Sequence, residues 1–177
     1  MKCYNEMQNL KMKGKRKMAI ELVREYFKKW GREEDVLEFN TSSATVELAA
    51  QALNVDPARI AKTLSFKSED GAILVVAAGD AKIDNSKFKG QFGFKAKMLT
   101  PDEAYKFTGH KIGGVCPFGL NSRIPVYLDI SLKRFKTVFP ACGSSNSAIE
   151  LTCQELEKYS MNEKWVDVCK AWRNTNK

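Results

Sequence analysis

Apolar residues Ile20, Val23, Tyr26, Phe27 and Trp30 recur at helical spacing among charged neighbours, and Gly31 follows them. The spacing predicts an amphipathic helix over residues 18–30 that stops at the glycine. A second helix is predicted from near Thr45, carrying Val46, Leu48, Ala49 and Leu53. Asp56-Pro57 reads as an N-cap followed by proline at the first helical position, opening a short helix that ends near Ala61. The period then changes. Residues 63–67 alternate, with Leu64 and Phe66 on one face, and residues 72–78 are continuously apolar, as in a strand covered on both faces. Residues 85–91 fit a helical turn or two, and residues 96–99 a short strand. Thr100-Pro101-Asp102-Glu103 is a capping box with proline at its first position, and the helix it opens ends at Gly109. Strands are predicted over 126–130, 137–139 and 147–151. Thr152-Cys153-Gln154-Glu155 is a second capping box. A final helix over 162–174 is predicted to bury Trp165, Val168, Cys169 and Trp172.

This order of helices, many short strands and helices again predicts one α/β domain with a mixed-sheet, barrel-like core flanked by helices. The strands lie too close together for regular βαβ units, and no G-x-G-x-x-G follows any of them, so a doubly wound sheet is excluded. At 177 residues with 44% hydrophobic residues, the chain can build a core without disulfide or metal staples. Its longest nearly uninterrupted apolar run, residues 72–78, is far shorter than the roughly 20 residues of a spanning helix. The first 18 residues are basic without an apolar stretch, unlike a secretory signal, and the expected address is the cytoplasm.

The net charge of +8 is uneven. Residues 1–17 hold six basic side chains against Glu6, a net +5, and leave +3 for the remaining 160. The expected organisation is a basic arm over 1–17 and a domain with a C-terminal helix over 18–177. The arm is either a solvated extension, a nucleic-acid contact, or an extended start, with translation beginning at Met18. Five cysteines without a C-x-x-C pair argue against a disulfide framework, and one histidine, His110, leaves multi-histidine zinc sites unsupplied. Neither metal nor cofactor is expected. No G-x-S-x-G elbow accompanies His110, which suits a surface or loop-capping position.

Several features carry chemistry. Lys62 shares strand parity with Leu64 and Phe66, so it either stands at the mouth of an apolar cavity or simply reaches solvent where the strand begins. Gly113-Gly114-Val115-Cys116-Pro117-Phe118-Gly119 permits close backbone approach and can present consecutive N–H groups to an anion, or it is a tight structural turn. The loop lacks the Lys-Ser/Thr ending of a nucleotide P-loop. Cys116 has no adjacent base and is expected to be an inert thiol. Asp129 and Tyr127 make one face of their strand polar, lining a site or meeting water. Ser144, Ser145 and Asn146 lie in a polar loop able to offer hydroxyl and amide donors. Lys82, Lys87, Lys89, Lys95 and Lys97 interleave with Phe88, Phe92 and Phe94. That pattern either tracks phosphates and stacks bases or is a core with a solvated face.

Four segments together resemble a family. They are Ile60-Ala61-Lys62-Thr63-Leu64-Ser65-Phe66, the glycine–proline loop 113–119, Val126-Tyr127-Leu128-Asp129 and residues 143–151. In this order and spacing they are similar to YbaK/EbsC-type proteins, relatives of the editing domain of bacterial prolyl-tRNA synthetase. The likeness covers about residues 18–160.

The resemblance implies the barrel-like editing fold and hydrolysis of mischarged aminoacyl-tRNA. It places the family's required lysine at Lys62 and its G-x-x-x-P loop on residues 113–117, with Gly114 and Val115 amides as oxyanion donors. Ser43-Ala44-Thr45 corresponds to a segment that walls the pocket. The expected substrate-binding set is Thr45, Gly113, Val115, Cys116, Pro117, Phe118, Asp129, Ser144, Ser145 and Asn146, with Lys82, Lys87 and Lys89 on the tRNA. The implied activity is trans-acting removal of a small residue (cysteine, alanine, serine or threonine) from a tRNA, that for proline above all. The implied partners are aminoacyl-tRNA and a synthetase. A non-catalytic tRNA- or synthetase-associated module of the same fold is the alternative.

Overall fold

A computed structural model describes residues 18–173, so the basic arm 1–17 lies outside the described residues. Helix α1 (Ala19–Phe27) buries Ile20, Val23 and Phe27 and continues as a 3-10 turn to Trp30, where Gly31 takes the left-handed conformation. Strand β1 (Leu37–Glu38) precedes α2 (Val46–Leu53), whose N-cap is Thr45. Asp56-Pro57 opens only a 3-10 turn, Pro57–Arg59. The expected helix to Ala61 is therefore cut short, because strand β2 (Ile60–Ser68) has already begun.

β2 pairs antiparallel with β3 (Gly71–Ala78) from Ala61 to Ser68. β3 is buried from Ala72 to Ala78, as a strand covered on both faces must be. β4 (Lys82–Ile83), α3 (Asn85–Phe92) and α4 (Pro101–Thr108) follow. Then come β5 (Val126–Asp129), β6 (Thr137–Pro140), β7 (Ser147–Ala148), β8 (Leu151–Thr152) and α5 (Cys153–Ser160). Both capping boxes form as predicted, at Thr100 and Thr152. The predicted strand 96–99 reduces to a single bridge, Phe66 with Met98, and the predicted strand 147–151 splits into β7 and β8.

The predicted final helix is not formed. Residues 164–166 and 169–170 are strands, β9 (Lys164–Val166) and β10 (Cys169–Lys170). β9 lies parallel to β5 and closes the edge of the main sheet, while β10 pairs with β4. The demand of β5 for a neighbour outweighs the helical spacing of Trp165, Val168, Cys169 and Trp172.

The main sheet has the order β8-β6-β2-β3-β5-β9 and mixes parallel and antiparallel pairs, with β2 and β3 at its centre. It forms a curled, half-barrel α/β domain with five α-helices among the described residues. Phe88 is fully buried against Phe66, with ring centroids 4.8 Å apart, and Phe92 packs on Tyr127 at 4.8 Å. The phenylalanines of the lysine-rich stretch thus belong to the core rather than to a base-stacking surface. No helix among the described residues is long and apolar enough to cross a membrane.

Candidate active site

Beside β2 lies a cavity of about 240 Å³. β6 pairs with β2 only at Ile60 and Ala61, and the Lys97–Leu99 segment pairs with it only from Ser65 onward. Between them the edge of β2 is open. Ser65 accepts from the Leu99 amide at 3.0 Å and Lys67 donates to the Lys97 carbonyl at 2.8 Å, both away from β3. By the two-residue strand period, the peptide groups of Thr63 face the same open edge. The Thr63 hydroxyl is buried with no hydrogen-bond partner among the described residues.

The cavity wall is largely apolar, with Val46, Ala49, Leu64, Phe139 and Ala148 among its residues. Its polar side chains are mostly engaged within the protein. Thr45 caps α2 through the Leu48 amide at 3.2 Å, and Ser43 donates from its hydroxyl to the Ser145 carbonyl at 3.2 Å. Lys62 lines the cavity, on a strand face shared with Ile60 and Leu64. Its Nζ donates to the Gly79 carbonyl at 2.9 Å and also to the Ala81 carbonyl. Burial holds its pKa below the ordinary lysine value, opposed by the nearby Cys169, Asp80 and Glu47. An ammonium has three N–H groups, so one of them is uncommitted among these contacts.

The glycine loop supplies Gly113 and Val115 to the same cavity. The Gly114 amide donates to the Lys111 carbonyl at 2.9 Å, closing a turn with Gly113 at its third position at φ +88°. The Gly114 carbonyl accepts from the Gly143 amide at 3.1 Å. Gly114 is therefore not an oxyanion donor, because both its peptide groups are spent in holding the loop. Its lack of a side chain is still required, since a Cβ there would lie 2.7 Å from the Gly143 carbonyl carbon and the Ser144 nitrogen. The amides of Gly113 and Val115 have no hydrogen-bond partner among the described residues.

Other expected site residues stand elsewhere. Cys116 is fully buried; its amide donates to His110 Nδ1 at 3.3 Å and its Sγ lies 3.6 Å from that same nitrogen. Burial pushes the thiol up to about 12 and the imidazole down to about 4, so neither is ionised near neutrality. His110 is a buried loop cap rather than a surface residue. Pro117 is buried outside the cavity wall, and Phe118 packs on Phe27 with centroids 4.9 Å apart. Asp129 is fully buried; it accepts from the Ser131 amide at 2.9 Å and the Val168 amide at 2.8 Å, tying β5 to the β9–β10 connection. Ser144, Ser145 and Asn146 stay behind the wall, which is formed instead by Ser147 and Ala148. Ser144 donates to Asn146 Oδ1 at 2.9 Å and Asn146 to the Phe39 carbonyl at 2.8 Å. Lys82 and Lys89 are exposed, whereas Lys87 is paired with Asp167 at 2.9 Å. None of the three lines the cavity.

Thr63, Met98, Ile112 and Ala141 line the cavity without having been singled out by sequence. The usable signal was adjacency, with Thr63 following Lys62 and Ile112 preceding Gly113. Among the described residues no three or more His, Cys, Asp or Glu side chains gather as metal ligands.

Residues 41–159 match the family model described as the aminoacyl-tRNA editing domain. The chain is 62% identical over 156 residues to the uncharacterized protein YwhH of Bacillus subtilis, covering 88% of this chain and 99% of that one. It is 28% identical over 125 residues to proline–tRNA ligase of Thermotoga neapolitana, covering 70% of this chain and only 21% of the synthetase. A solved structure of a proposed trans-editing enzyme for prolyl tRNA synthetase superimposes with a TM-score of 0.79 at 29% identity, covering 88% of this chain and 99% of that one.

Proposed function

The chain belongs to the aminoacyl-tRNA editing domain family, and from that premise we propose that it is a trans-acting deacylase. Its substrate is the ester of a small amino acid (cysteine, alanine, serine or threonine) mischarged on a tRNA, that for proline first. The observation that supports this most is the sharing of one small cavity by Lys62 and the glycine loop.

An ester is already activated, so positioning and oxyanion stabilisation suffice to hydrolyse it. Water adds to the carbonyl carbon, and the charge that develops on oxygen meets the Gly113 and Val115 amides. Collapse breaks the bond to the terminal ribose oxygen, which takes up a proton and leaves as a hydroxyl. One placed donor contributes about 2.7–4 kcal/mol. The uncommitted N–H of Lys62 holds a substrate oxygen, on the terminal ribose or its phosphate. The open edge of β2 at Thr63 offers a carbonyl to the α-ammonium. With a cysteine substrate, its own thiol can replace water as the nucleophile. Selectivity comes from cavity size, and because a methylene is worth only about 1–3 kcal/mol, neighbouring small residues are separated imperfectly.

The test is a panel of tRNAs, tRNA for proline among them, charged with cysteine, alanine, serine or threonine and mixed with excess protein. Release of one or more of these amino acids well above the buffer rate supports the reading. Salt-dependent tRNA binding without release from any member overturns it in favour of a non-catalytic module.

A further inference from the structure

Seven large hydrophobic side chains are exposed among the described residues, and only two of them, Met98 at 53% and Ile112 at 56%, line the cavity. They come from separate segments. Met98 bridges β2 at Phe66, and Ile112 stands in the turn before Gly113. Each is preceded by an exposed lysine, Lys97 and Lys111. Neither ammonium has an ion pair among the described residues, whereas Lys67 and Lys87 are neutralised by Glu103 and Asp167.

The cavity, at about 240 Å³, is below the roughly 300–1,000 Å³ of sites that enclose a whole drug-sized ligand. An aminoacyl group enters it, and the nucleoside that carries the group stays at the mouth. Apolar side chains kept in water at a cavity mouth mark a contact surface. The flat face of a purine suits a methionine thioether and an isoleucine, and such contact is indifferent to base sequence. Lysine, a point charge on a flexible stem, suits the adjoining phosphates.

We propose that Met98 and Ile112 hold the terminal adenine of a single-stranded RNA 3′ end, with Lys97 and Lys111 on its last phosphates. This rests on the editing reading and adds to it the residues that dock the nucleotide.

The test uses the full chain and an uncharged oligoribonucleotide carrying 2-aminopurine in place of the terminal adenine. Binding to the unaltered protein is expected to change the terminal emission, and a probe placed several nucleotides upstream is expected to respond less. In the double variant M98Q/I112Q the terminal response disappears and affinity falls about tenfold or more. In K97Q/K111Q affinity falls and the salt slope of log K shrinks by about 1.4, at ~0.7 for each phosphate no longer neutralised. A terminal probe that stays silent with the unaltered protein, or responds fully in M98Q/I112Q, overturns the proposal. Because the RNA is uncharged, the outcome is separate from catalysis. A terminal response without hydrolysis of any charged tRNA overturns the editing reading and supports the docking surface. Hydrolysis that is undiminished at subsaturating M98Q/I112Q overturns the docking surface alone.

Discussion

The ammonium of Lys62 is anchored on the carbonyl of Gly79, 2.9 Å away. Gly79 cannot be another residue, since a Cβ there would fall 2.0 Å from the Pro57 carbonyl oxygen. The anchor thus depends on a close crossing of two backbone segments, and it directs the remaining N–H of an otherwise satisfied ammonium. An arginine at position 62 would bring a planar fork of five donors that two carbonyls cannot satisfy in the same space. Lys62→Arg is predicted to lose deacylation about as completely as Lys62→Ala, read by single-turnover release of amino acid. Activity near that of the unaltered protein would show that charge alone is needed.

Gly114 commits its amide to the Lys111 carbonyl and its carbonyl to the Gly143 amide, which assigns it to holding the loop. Gly114→Ala must displace the backbone at Gly143 and Ser144, which overpacking data place at about 1–3 kcal/mol of lost stability. Denaturant unfolding is predicted to show that loss together with a large fall in activity. Unchanged stability with lost activity would return Gly114 to the chemistry.

Cys116 and His110 have the composition of a nucleophile–base pair, but both are buried and un-ionised near neutrality. The His110 Nδ1 already accepts the Cys116 amide, and burial holds the thiol protonated. Cys116→Ala is predicted to keep deacylation within a few-fold, at some cost in stability from the vacated volume. The native thiol at this position is predicted to resist iodoacetamide at neutral pH. Mass mapping of the modified cysteines checks that, and rapid labelling at Cys116 would contradict it.

His110 should leave a mark on the pH dependence of stability. The unfolded chain protonates this ring near pH 6.5, the folded protein near pH 4. Between these values unfolding takes up a proton, so the full contribution is present above about pH 6.5 and is lost as the pH falls towards 4. The shift corresponds to about 3 kcal/mol. His110→Phe is predicted to be less stable at pH 7, because the Cys116 amide loses its acceptor, and to show a flatter fall from pH 6.5 to 4. Parallel curves for the two proteins would contradict the buried neutral imidazole.

Local chemistry was legible in the sequence, and long-range partnership was not. The caps at Thr45, Thr100 and Thr152, the doubly covered run in β3 and the parity of Lys62 all depend on neighbours a few residues away. The residues that close the sheet do not. Trp165 and Val168 have helical spacing, yet the free edge of β5, some forty residues earlier, draws residues 164–166 into the sheet. Asp129 sits on a strand face that reads as polar; only the fold reveals that its two oxygens are taken by Ser131 and Val168. Gly114 and Val115 are adjacent in a loop that looks uniformly permissive, but the turn closed on Lys111 consumes one amide and spares the other. Met98 had no signal beyond being apolar, and Ile112 only its place before Gly113, because a cavity mouth is assembled from segments that only the tertiary structure brings together.

The most direct measurement is the single-turnover rate of amino-acid release from a mischarged tRNA, compared between the unaltered protein and Lys62→Ala at saturating protein. Loss of a placed donor predicts a fall of about 10²–10³-fold with tRNA binding largely retained. Equal rates in the two proteins would contradict a role for this lysine in breaking the ester.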